Sequence, residues 1–73
     1  MNQSEVARLR SQIETELEAM QRGLTGVAIG AARHDFIRRR MDRVGLYQGR
    51  LAQQVGEDTA TQIVYSMYVA AID

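Results

Sequence analysis

Arg33-His34-Asp35-Phe36-Ile37-Arg38-Arg39-Arg40-Met41-Asp42-Arg43 is the centre of a longer stretch, Ala31 to Gly56, whose reading decides the fold. Projected at about 100° per residue, Ile37, Met41, Val44, Leu51 and Val55 share one face with Gln48, and Phe36 and Tyr47 lie at its edge. That pattern predicts one long amphipathic helix. Gly45, Gly49, Ala52 and Gly56 cluster beside the apolar face, with His34 on the same flank. A mid-helix glycine costs roughly 1 kcal/mol relative to Ala, so the cluster implies a closely packed neighbouring helix or a bend at Gly45.

Upstream, Val6, Leu9, Ile13, Leu17, Met20, Leu24 and Val27 recur at spacings of three and four residues, a single helical stripe. Asn2 and Glu5 have capping-box spacing at its start. Gly23 is a good helix terminator, and the reading places a break at Gly23-Leu24-Thr25-Gly26, with Thr25 capping the next helix. The alternative is a helix running on through Gly30. Downstream, Gly56 ends the Arg-rich helix and Glu57-Asp58-Thr59 opens a third one, where acids suit the N-terminal dipole. In that helix Ala60, Ile63, Val64, Met67 and Ala71 form one apolar stripe, and Tyr65, Tyr68, Val69 and Ile72 form a second. A helix apolar on most of its sides must be buried on most of its sides.

These readings give an all-α chain: an antiparallel helical hairpin plus a shorter third helix, a three-helix bundle filling residues 1–73 as a single helical domain. The helices are expected at residues 3–22, 26–55 and 58–72. Chains of this length bury only about 60% of the surface their unfolded form exposes, so small domains are usually reinforced by disulfides, a metal or oligomerisation. There is no Cys and one His, which leaves self-association, and the expectation is a homodimer or a larger bundle with Tyr65, Tyr68, Val69 and Ile72 in the interface. No apolar run approaches the ~20 residues of a membrane helix, and the N-terminus lacks a signal-peptide pattern. The expected location is cytoplasmic, away from membranes, with no cofactor and no metal.

All nine basic residues are Arg, and although the net charge is zero their distribution is uneven. Residues 1–21 hold two Arg against four Glu, residues 22–50 seven Arg against two Asp, and residues 51–73 no base against three acids. A basic middle with acidic flanks can neutralise itself within a fold or between copies. Arg39, Arg43 and Arg50 share the outer face of the Arg-rich helix and make it a candidate anion-binding or nucleic-acid-binding surface. Asp35 and Asp42 lie three or four residues from Arg38 or Arg39, as intrahelical ion pairs would require.

Arg33 and Arg40 are one heptad apart and face the core side, where a charge needs a partner or water. A hairpin turning near Thr25 puts Glu16 opposite Arg33, which predicts that pair. It leaves Arg40 for a carboxylate of another subunit, or for water reached along its own stem. The two Arg could also line a small helical enzyme's cavity, but no nucleophile, base or oxyanion donor accompanies them, and no catalytic residue is assigned. His34 and Asp35 diverge by about 100° on a helix and do not form a catalytic or metal pair.

The stretch Leu51-Ala52-Gln53-Gln54-Val55-Gly56-Glu57-Asp58-Thr59-Ala60-Thr61-Gln62-Ile63 resembles the front of a DNA-binding helix-turn-helix. Ala52 stands at the small position, Gly56 at the turn, and Leu51 and Val55 at core contacts. The resemblance implies DNA reading by the third helix. That helix departs from the pattern at Glu57 and Gln62, opens with Asp58 and carries no Arg. The function expected from the residues themselves is an interaction or assembly module without catalytic activity, whose partner is itself or another protein.

Overall fold

The structure, a computed structural model, describes residues 3–25 and 30–72, the side chains of residues 3, 24, 25, 31 and 72 excepted. It consists of three helices, α1 (Gln3–Thr25), α2 (Gly30–Val55) and α3 (Glu57–Ile72), with no strand among the described residues. The expectations at Asn2, Val27 and the side chains of Leu24, Thr25 and Ile72 lie outside the described residues.

The stripe of α1 is the centre of the core. Leu9, Ile13 and Leu17 are fully buried and Met20 nearly so. Against them α2 contributes Val44 and Leu51, and α3 contributes Ala60 and Val64. Half-buried Val6, Ile37, Tyr47, Val55, Ile63, Met67 and Ala71 close the periphery. The result is an elongated bundle of 41 × 20 × 19 Å.

The helix ends differ from the sequence expectation. Helix α1 runs through Gly23 to Thr25 instead of stopping at residue 22. Gly23 serves as a contact point and not as a terminator, because a methyl group built on it would lie 2.5 Å from Cε1 of Phe36. Its missing side chain lets the Phe36 ring of α2 press onto the α1 backbone. Helix α2 is described from Gly30 onward; the expected start at residue 26 and the alternative of a helix running on through Gly30 both fall on residues outside the described ones.

Helix α2 is continuous from Gly30 to Val55. No helix of the same chain packs closely against Gly45 or Gly49, since a methyl on either would meet nothing within 4 Å. The turn between α2 and α3 is a single residue. Gly56, at φ +91°, takes a left-handed backbone conformation that side-chain-bearing residues resist. Its N–H donates to the Ala52 carbonyl at 2.8 Å, and its own carbonyl accepts from Ala60 N–H at 3.0 Å. Helix α3 therefore opens at Glu57, one residue before the expected 58, with both acids in its first turn and Thr59 inside the helix. It folds back along α2, and Gln48 Nε2 donates to Thr61 Oγ1 at 3.3 Å.

Candidate functional site: the Arg-rich helix and the α2/α3 groove

One side of α2 faces α1, and here the inward charges find their partners. Glu16 is 5% exposed, on the flank of the Leu9–Ile13–Leu17 stripe. Arg40 Nη1 donates to Glu16 Oε2 at 2.9 Å, and Arg43 Nη1 donates to Glu16 Oε1 at 3.4 Å. Both carboxylate oxygens are thus occupied by guanidinium groups of the same chain. The Arg40 guanidinium also lies 4.9 Å from the centroid of the Phe36 ring, a cation–π arrangement.

Two pairings differ from the sequence expectation. Glu16 pairs with Arg40 and Arg43 and not with Arg33, and Arg40 takes an acid of its own chain where one from another subunit was expected. The cause is hairpin register. With Glu16 opposite Arg40 and Gly23 against Phe36, each residue of α1 faces a residue of α2 about one heptad further along than a turn near Thr25 would give. That displacement brings the next heptad of α2 opposite Glu16. Arg33 is half-buried near the start of α2.

Helix α1 carries further polar groups at four-residue steps from Glu16. Gln12 Oε1 is buried and meets no donor among the described residues. Arg8 is paired with Glu5 at 2.6 Å. That hydrogen bond and the Glu5 charge, with a smaller contribution from Tyr47, hold the Arg8 guanidinium above its ordinary pKa. Neither Gln12 nor Arg8 was singled out in the sequence, although their spacing from Glu16 puts all three on one side of α1.

On the outer side of α2, Arg39, Arg43 and Arg50 are all exposed. Two of them have intramolecular engagements: Arg43 with Glu16, and Arg50 with the Tyr47 ring, 6.0 Å from its centroid. The intrahelical pairs expected from Asp35 and Asp42 are not formed among the described residues. His34 is exposed, and no three potential metal ligands cluster among the described residues. No helix there is long and apolar enough to cross a membrane.

The remaining side of α2 forms a groove with α3. Met41, Val44 and Gly45 make one wall, Val64, Tyr65 and Tyr68 the other, around a space of about 360 Å³. Tyr65 is 68% exposed, Tyr68 and Val69 39% each, and Met41 42%. The second apolar stripe of α3 is therefore on the surface. Met41, expected on the core face of α2, joins it there because Ala60 and Val64 of α3 share the core with Val44 and Leu51, whereas the groove between Met41 and Tyr65 and Tyr68 stays open. At the Gly56 end the groove continues past Gly49 and Ala52 to Glu57 and Asp58.

Comparison with protein-family models, with curated proteins and with solved structures gives no match for this chain.

Proposed function

We propose that this chain is a small cytoplasmic assembly module without catalytic activity, which works by associating with copies of itself through the α2/α3 side of the bundle. The observation that carries this reading is the exposure of Tyr65, Tyr68 and Val69 beside Met41. Four large apolar side chains on one side of a 73-residue chain leave unburied the surface that a small fold most needs to bury. Aromatic residues and Met are also the types enriched at the centres of protein interfaces. The cytoplasmic part of the reading rests on the sequence alone. A reading as an anion or nucleic-acid binder through Arg39, Arg43 and Arg50 has less support, because Arg43 and Arg50 already contact Glu16 and Tyr47. The same reduction applies to an Arg-lined enzyme, since Arg40 is taken up by Glu16 and Phe36.

Size-exclusion chromatography with light scattering tests the proposal. The expected mass is a multiple of the 8.2 kDa chain, and Tyr68→Glu is expected to reduce it to one chain with helical circular dichroism retained. A wild-type mass of 8.2 kDa would overturn the reading, and an unchanged mass in the Tyr68 variant would remove Tyr68 from the interface.

A further inference from the structure

We infer that the α2/α3 groove is occupied by the same groove of a second copy, in an antiparallel two-fold dimer centred on Gly45 and closed at both ends by ion pairs from Arg38 to the partner's acidic α3 N-terminus. The inference rests on the self-association reading above and specifies its geometry. Its premise is the order of side chains along the exposed side of α2. Arg38, Gly45 and Ala52 are seven residues apart, with Met41 and Gly49 between them, so these five positions lie on one flank of the helix. A two-fold axis at Gly45 inverts this order. It sets Met41 over the second copy's position 49, where glycine leaves the backbone bare, and Arg38 over position 52, where alanine does.

Both ends of that superposition fit. Met41 is a protruding side chain, and a methyl at position 49 would meet nothing within 4 Å, so a knob meets an open hole. The bare backbone at Gly45 permits the two α2 helices to approach closely at the axis. Arg38 lies seven residues from Gly45, roughly 10 Å at the ~1.5 Å rise of a helix. Glu57 and Asp58 flank the groove beside Ala52, so the rotation that carries Arg38 onto position 52 carries it to these two acids. Arg38, Glu57 and Asp58 are exposed, and none has an ion-pair partner among the described residues. Tyr65 and Tyr68 line the same groove and flank the crossing. The basic middle and the acidic last third of a chain with no net charge thus neutralise each other between copies.

Charge reversal in two separate chains tests this geometry. Each of Arg38→Glu and the double variant Glu57→Arg/Asp58→Arg is expected to weaken its own dimer by about tenfold or more, because reversal turns two symmetric attractions into repulsions. Mixing the two variants is expected to restore association as a heterodimer, which contains one native and one inverted pair. Native mass spectrometry of the mixture, with the two chains distinguished by mass, reads this directly. A wild-type dimer indifferent to Arg38→Glu, or variants that weaken but do not recover on mixing, would overturn this arrangement and leave self-association standing. A wild-type chain that is monomeric would overturn both. Circular dichroism of each variant, whose substitutions are all at exposed positions, separates weakened association from unfolding.

Discussion

A carboxylate that is almost fully buried is costly unless its oxygens are satisfied, and Glu16 has both of its oxygens occupied by Arg40 and Arg43. The two partners are not equivalent. Arg40 makes the shorter contact and is the more buried guanidinium, whereas Arg43 is mostly in water. Arg40→Ala leaves the Glu16 carboxylate short of its main donor and is expected to cost about 1.5–3 kcal/mol in urea unfolding. Arg43→Ala is expected to cost under about 1 kcal/mol, as solvent-screened ion pairs do. Equal losses for the two variants would contradict the asymmetry. The sequence made it legible that a core-side Arg of α2 needs a carboxylate and that Glu16 supplies one. Which Arg it is depends on where the hairpin turns. A heptad shift preserves the face while changing the residue, so periodicity alone does not choose between Arg33 and Arg40.

At the scale of elements, four of the described glycines take three physical roles. Gly56 provides a left-handed turn, Gly23 a helix-to-ring contact, and Gly45 and Gly49 an open surface. The turn was readable from its position between two apolar stripes. The contact at Gly23 was not, because a glycine at the end of a stripe reads equally well as a terminator until the Phe36 ring is placed. Substitution to Ala separates these roles. Gly23→Ala is expected to destabilise by about 1 kcal/mol or more through collision with Phe36, and to become neutral or stabilising in a Phe36→Ala background. Gly45→Ala should behave in the opposite way. In solutions dilute enough to be monomeric it is expected to stabilise α2 by about 0.5–1 kcal/mol through helix propensity, while weakening association at higher concentration. Gly45→Ala that leaves association unaffected would show that the α2 backbones do not meet there.

At the scale of the whole molecule, three helices share one core, yet their apolar surface is larger than that core can hold. The three-helix order, the core stripes of α1 and α3, and the outward second stripe of α3 follow from helical periodicity in the sequence. The position of Met41 does not, because it depends on how far α3 wraps around α2. Burial inside the chain stops at Val44 and Val64 and leaves Met41, Tyr65, Tyr68 and Val69 outside. In the proposed dimer, a second copy would remove that surface from water and bring the basic and acidic parts of the sequence together. Sedimentation equilibrium of the wild-type chain over a wide concentration range distinguishes a lone chain from an associated one. A two-fold dimer gives a mass near twice 8.2 kDa that falls towards 8.2 kDa on dilution, and a mass of 8.2 kDa at every concentration would rule self-association out.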